Sequence, residues 1–265
     1  MKVKELNAYL KSLEKIDFPN SVDRIIIGNP DTEIKKIGTC WLPYWETLKE
    51  AKRLGVNVIV THEPTFYHHF DLDAKDKTYP KLIAAKKKWI LKNKMAIIRC
   101  HDVLDRIRTD FGIPYSWGEA LGFSRKDIIQ SPHYYNVYKV AAAPAKVWAQ
   151  KIANRLKKLN QSGVEFYGEG DRMVKSIVVG TGCYANPLKA PKLKWDLFVA
   201  IDDAIMTWCQ AVYSRDTGAP MVVVNHGTSE DWALKKLADH LNEKFSEIKS
   251  VYFPQGCTYR WFAAK

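Results

Sequence analysis

No apolar run in this chain approaches the ~20 residues that span a bilayer. The opening Met1-Lys2-Val3-Lys4-Glu5-Leu6 is a charged amphipathic pattern, without the apolar core of a signal peptide. A soluble, unprocessed cytoplasmic protein with no membrane partner is expected. Cysteine is sparse: Cys40, Cys100, Cys183, Cys209 and Cys257 make an odd five, with no Cys-x-x-Cys pair. That argues against a disulfide framework or a thiolate zinc site, and reads most of them as small buried apolar groups in a reducing compartment. Nor is there an arginine-rich arm or an aromatic-basic nucleic-acid motif. The net charge of +12 is instead spread over lysines read as solvated helix surface, among them Lys86-Lys87-Lys88, Lys157-Lys158 and Lys235-Lys236. Nucleic acid is thus a weakly supported partner, and a small anionic substrate the better one.

What the chain does contain is one arrangement repeated. Val58-Ile59-Val60-Thr61 runs into His62 and Glu63, and Pro64 then ends the strand pairing. Ala96-Ile97-Ile98-Arg99-Cys100 leads into His101, with Asp105 four residues on, and Met221-Val222-Val223-Val224-Asn225 leads into His226, with Glu230 four residues on. Three of the seven histidines therefore stand at the carboxyl ends of β-rich runs, the edge of an open α/β sheet where ligands gather.

Strand and helix signals alternate elsewhere too. Leu6, Leu10 and Leu13 have helical spacing, residues 23–28 and 34–40 read as strands, and Pro43 opens a helix closed by Gly55. Residues 65–79 read as a polar and aromatic loop, Pro80–Lys92 as a helix, and Ile113 to Gly122 as opening another. Pro132 marks a possible boundary. Beyond it come a strand at 137–143, a helix from Pro144, strands at 176–179 and 197–201, a helix at 203–214 and the strand into His226. A last helix is expected from Thr228 or Ser229, with Asp231 as in a capping box, and a short strand near 251–253. This is an α/β protein with partly parallel sheets. Its lobes are expected over 1–131 and 132–265, with 226–265 packing back toward a metal cleft between them.

Imidazoles and carboxylates together suit divalent metal ions. His226 and Glu230 lie one helical turn apart and can aim at one point, and Asp105 stands similarly to His101. The donors His62, Glu63, Asp105, His226 and Glu230, with His101, are too many for one ion and suit two. Three carboxylates against two divalent cations leave the site at about +1, favourable to an anionic substrate, and two metals roughly 3.5–4 Å apart can promote hydrolysis. His68 and His69 read as exposed or rim residues, His133 and His240 as surface residues, Gly180-Thr181-Gly182 as a plain turn, and Asp202-Asp203 as a helix cap.

Taken together, the Glu5-Leu6-Asn7-Ala8-Tyr9-Leu10 helix, the strand into His62, His101-x-x-x-Asp105 followed by Trp117 and Leu121-Gly122, and His226-x-x-x-Glu230 resemble the Nif-three-like family, often labelled GTP cyclohydrolase I type 2-like. The resemblance covers nearly the whole chain. It implies two similar intertwined three-layer α/β/α lobes with mixed sheets, a homo-hexameric ring and a dinuclear metal centre. His62, Asp105, His226 and Glu230 would be ligands, and His101 a ligand or a close partner that shuttles protons. Two positions depart from the family: Glu63 stands where a second histidine is usual, and Cys40-Trp41 where an acid is common. A carboxylate at 63 favours harder ions, so iron, manganese or magnesium gain against zinc. The expected function is a metal-dependent hydrolase of a phosphorylated or nucleotide-like small molecule. Its alternative is a non-enzymatic, metal-stabilised ring that binds a protein or nucleic acid.

Overall fold

Short apolar runs bounded by polar turns become strands buried on both faces, and the amphipathic runs between them become the covering helices. The computed structural model describes residues 1–71, 79–190 and 193–262, so 72–78 of the expected aromatic loop lie outside the described residues. The chain divides into two compact units: Met1–Ile107 with Ala233–Pro254, and Arg108–Trp232 with Gln255–Lys265.

The first unit opens with helix α1 (Val3–Ser12) and strand β1 (Arg24–Ile27). Strand β2 (Ile37–Cys40), helix α2 (Trp45–Arg53), strand β3 (Val58–Thr61), helix α3 (Pro80–Lys92) and strand β4 (Ala96–Arg99) follow. Next comes the five-residue helix α4 (Asp102–Arg106). The sheet order is β1-β4-β3-β2-β11, where β11 is Ser250–Tyr252. β4, β3, β2 and β11 run parallel, and β1 is antiparallel on β4. Parallel pairing puts the carboxyl ends of β3 and β4 side by side, because Thr61 pairs with Arg99. Side-chain alternation sends Ile59 and Ile97 into a core with Leu48 and Ala51 of α2 and Ile83 and Ile90 of α3. On the other face Thr39 Oγ1 donates to the Leu234 carbonyl (2.7 Å) and Tyr9 hydroxyl meets His240 Nε2 (2.6 Å), which seats α1 and the later part of helix α8 (His226–Lys244) there. His240 is thus part of a helix–helix contact rather than a free surface residue.

Lys86 corrects the reading of the lysine run as solvated. It is buried, and its ammonium donates to the Thr65 carbonyl at 2.9 Å. Burial lowers its pKa to about 8, against the opposing pull of Cys40 and Asp71. A lysine depressed in the folded state binds fewer protons than in the unfolded chain, so stability should rise as pH climbs from about 8 toward the ordinary 10.5. His101 changes stability in the opposite sense over the same range, so the gain is read as a difference: in urea unfolding, the stability of the wild-type protein relative to Lys86→Met should rise from pH 7.5 to pH 9.5. Parallel pH dependence in the two proteins would refute it.

The second unit begins with helix α5 (Ile113–Ala120), strand β5 (Ile128–Gln130), strand β6 (Tyr135–Pro144) and helix α6 (Ala145–Leu156). Strands β7 (Glu165–Tyr167), β8 (Met173–Gly180) and β9 (Leu197–Ile201) follow, then helix α7 (Val212–Thr217), strand β10 (Met221–Val224) and the start of α8. The order β5-β6-β8-β9-β10-β7 has β8, β9 and β10 parallel and the other pairs antiparallel. Alternate residues build two cores: Val199 and Val222 pack with Trp117 and Ile152, while Phe198 and Val223 pack with Tyr135 and Ala190. Gly118 is tolerated inside α5 because the Tyr138 ring occupies the space a Cβ would need.

Three local readings change. Residues 203–214 do not form one helix: a 3₁₀ turn at Asp202–Ala204 and a π-helix at Thr207–Ala211 precede α7. The side chain of Gln210 reaches back to the Met206 N–H at 2.9 Å, engaging the backbone ahead of the π-turn. α8 starts at His226, and the Asp231 carboxylate accepts from the Gln255 and Gly256 amides instead of capping it. Among the cysteines, Cys40 and Cys100 are buried, Cys209 and Cys257 are half-buried and Cys183 is exposed, so only two are core residues.

Candidate metal centre

In the first unit the donors come from the ends of two neighbouring parallel strands. β3 delivers His62 and Glu63; β4 delivers Arg99 and, two residues on, His101, the residue just ahead of α4. Helix geometry then returns Asp105 to the same side one turn later. Ligand atoms of His62, His101 and Asp105 all lie within 4.8 Å of one another, a spacing that one metal ion can bridge. His62 is fully buried and its Nε2 stands 3.8 Å from Asp105 Oδ1, while His101 Nδ1 stands 3.6 Å from Asp105 Oδ2. The two imidazoles stack with centroids 4.5 Å apart.

The orientation of each ring is set from behind. His62 Nδ1 faces the Cys100 carbonyl at 3.3 Å. His101 Nδ1 meets Asp102 Oδ1 at 2.9 Å, leaving Nε2 3.8 Å from Glu63 Oε1. A neutral ring whose Nδ1–H is held by an oxygen presents an unprotonated Nε2, the arrangement typical of a ligating histidine. Burial works against charge on His101, but Asp105, Asp102 and Glu63 outweigh it and lift the imidazole to about 9. Asp102 is pulled the other way: burial raises its pKa, and the bonds from His101 and from the Val22 amide bring it well below the usual carboxylate range.

Two residues passed over in the sequence hold this cluster in place. Asp23 is buried, and its carboxylate accepts from the amides of His101, Asp102 (3.1 Å) and Val103 (2.9 Å), so it caps α4 from eighty positions away. Burial raises its pKa, while the amide bonds oppose that rise. Arg99, also buried, donates from Nε to the His62 carbonyl (2.9 Å), from Nη2 to Glu63 Oε2 (3.1 Å) and from Nη1 to the His69 carbonyl. Only polar residues inside an apolar strand hinted at either. His69 is exposed and lies edge-on to His101 at 5.5 Å; partial desolvation, then the Arg99 and His101 charges, lower its pKa. His68 accepts from the Phe70 amide at 3.2 Å, a loop contact.

In the second unit His226 and Glu230 occupy successive turns at the start of α8, with His226 Nε2 3.0 Å from Glu230 Oε1. Asp203 Oδ2 holds His226 Nδ1 at 2.7 Å, again leaving Nε2 forward. Asp202 accepts from the His226 amide at 2.9 Å and from Asn225 Nδ2 at 2.8 Å, so it does cap the helix while its neighbour orients the ring. Gly182 of the Gly-Thr-Gly turn sits against this pair: a Cβ there would lie 3.5 Å from Glu230 Oε1 and 3.8 Å from His226 Nε2.

All three strand-end histidines thus share one construction, with Nδ1 engaged by an oxygen and Nε2 facing a carboxylate. The donors are borderline nitrogen and hard oxygen without thiolate, which fits divalent zinc, iron or manganese.

Comparison with known proteins gives matches over nearly the whole chain. The family described as Duf34/NIF3 (NGG1p interacting factor 3) matches residues 1–255. Proteins named GTP cyclohydrolase 1 type 2 homolog from Clostridium perfringens and Methanocaldococcus jannaschii are each 22% identical; the matches cover 95% of this chain and 95% of the first, and 96% of this chain and 100% of the second. Among solved structures, a Staphylococcus aureus hypothetical protein superposes with TM-score 0.77 at 18% identity, covering 99% of each chain. A Bacillus cereus protein related to NIF3 gives 0.78 at 14%, covering 100% of this chain and 99% of that one. These structural likenesses carry the mixed-sheet α/β fold. Among the described residues, no helix is long and apolar enough to cross a membrane.

Proposed function

Because the chain belongs to the Duf34/NIF3 family, we propose that it is a metal-dependent hydrolase of a small phosphorylated or nucleotide-like molecule. The observation that carries this reading is the trio His62, His101 and Asp105, whose donor atoms lie within 4.8 Å of one another. His62, Glu63, Asp105, His226 and Glu230 would together hold two divalent ions, with His101 close by as ligand or proton carrier. When bound, such ions supply Lewis acidity toward a phosphoryl oxygen and make water acidic enough to attack near neutral pH.

The rest falls to the chain itself. Asp102, Asp203 and the Cys100 carbonyl fix the three imidazole planes, so little reorganisation is needed on loading. Arg99 holds Glu63 and the carbonyls of the loop after β3, keeping that carboxylate's Oε1 toward His101. His101 holds a proton at neutral pH in the metal-free state beside the ionised Asp102, and it can exchange that proton with the donor cluster. Assembly as a homo-hexamer is part of the same reading and rests on the family.

The test is metal analysis of the purified full chain, followed by a panel of phosphomonoesters, pyrophosphates and nucleotides with Mn²⁺, Fe²⁺ or Zn²⁺. Up to two ions per chain and turnover abolished in His226→Ala, with the fold intact, are expected. A fully loaded protein inert toward the whole panel would overturn the hydrolase.

A further inference from the structure

A cavity in the second unit has no part in the reading above. It occupies about 960 Å³ between the segment after α5, strand β6 and helix α6, and none of the six strand-end donors lines it. The volume is at the upper end of the roughly 300–1,000 Å³ typical of small-molecule sites.

Its floor is made by an irregular strand. Lys139 of β6 pairs with Ser176 and Ala143 with Val174, so three residues of β6 stand opposite the single Lys175 of β8. A bulge of this kind turns side chains out of the regular pleat, and Lys139, Val140 and Ala141 all line the cavity. One wall is α6 and the turn after it, where Lys151, Arg155 and Lys158 recur at helical spacing. By helical rise these cations extend roughly 10 Å along one side. Asp127 is the one carboxylate in the lining, and among the described residues none of the four cations lies within ion-pair distance of any acid. Such a charge imbalance suits a multiply charged anion.

The cavity also offers an aromatic surface. Phe123 and Trp148 line it with ring centroids 6.2 Å apart, and Lys151 Nζ stands 4.2 Å from the Trp148 ring. Arg155 closes the side next to Gly122, where a Cβ would lie 2.9 Å from Nε and the backbone is left-handed at φ +87°. A ring to stack upon beside a row of unneutralised cations is what a base joined to a chain of phosphates needs. An inorganic anion would leave the aromatic surface unused, and an acidic peptide would lack a planar group for it.

We propose that this cavity binds a free nucleoside polyphosphate, with the base against Trp148 and Phe123 and the phosphates along Lys151, Arg155, Lys158 and Lys139. The site is independent of the metal reading, and it is tested on metal-stripped protein so that the two can fail separately. ATP and inorganic tripolyphosphate are titrated calorimetrically into the EDTA-treated full chain. ATP should bind at least tenfold more tightly than tripolyphosphate. The double variant Lys151→Glu/Arg155→Glu, altered only at exposed positions, should weaken ATP at least tenfold, and Trp148→Leu should erase the preference for ATP. Folding of each variant is checked by circular dichroism. ATP binding no tighter than tripolyphosphate, undiminished in the charge-reversed variant, or replaced by binding of a single-stranded oligonucleotide alone would overturn the assignment.

Discussion

Arg99→Met should destabilise the metal-free protein by about 3–5 kcal/mol, the cost of stripping the partner from a buried charge. In a chain of this size that is a fall in Tm on the order of 10 °C. The guanidinium is fully buried; it donates to Glu63 and to the carbonyls of His62 and His69 and stands 3.9 Å from Asp71 Oδ2, so methionine of similar length takes a cation from beside two buried carboxylates and a donor from two carbonyls. Most of the loss should trace to the nearer carboxylate, Glu63 at 3.1 Å against 3.9 Å for Asp71. Glu63→Gln in the Arg99→Met background should therefore recover more than half of it, a coupling that a double-mutant cycle by denaturant titration measures directly. A single-variant loss below about 1 kcal/mol would mean that the pair behaves like an exposed ion pair.

Asp105→Ala should lower affinity for Mn²⁺ by more than about 100-fold, exceeding the 10–100-fold loss usual for a residue behind the ligands. Asp105 faces both His62 Nε2 and His101 Nδ1, so its removal takes one donor from the trio and an acid from beside both imidazoles. The pH dependence follows from His101. Its pKa is lifted from 6.5 to about 9, so in the metal-free protein it stabilises the fold most fully below about 6.5, and that contribution disappears as pH rises through about 9. A cation competes with that proton. Mn²⁺ affinity should therefore increase from pH 6 toward pH 9 and level off above it. Thermal melts at pH 6 and 9, with and without Mn²⁺, should show the metal-dependent gain in Tm growing with pH. A gain independent of pH would place the proton elsewhere.

Which parts of this were legible in the sequence follows from the reach of each signal. β3, β4 and β10 are parallel strands buried on both faces, so they are continuous Val/Ile runs and their ends can be read to within a residue. Helix α3 is bounded by Pro80 at its first turn and was readable from end to end. The three-residue strands β5 and β7 carry too few side chains for a period-two pattern to show, and they went unread. Residues 203–214 have apolar spacing close enough to a helix to mislead, because a π-turn shifts the register without changing composition. Within the candidate site, the histidines and acids at strand ends were readable since their chemistry is local. The contributions of Asp23, Arg99, Asp102 and Asp203 were not, since each depends on a partner brought near by folding. Asp23 and Val103, eighty positions apart, have no sequence relation that periodicity could detect.

The margins of the two sheets have a consequence for self-association. Each sheet ends in strands of only three or four residues: β1 and β11 in one, β5 and β7 in the other. Edges this brief offer few open amide and carbonyl groups to a neighbouring backbone. Copies of this chain that join at these four strands would do so by fitting side-chain surfaces together, not by prolonging a hydrogen-bonded ribbon from one molecule into the next.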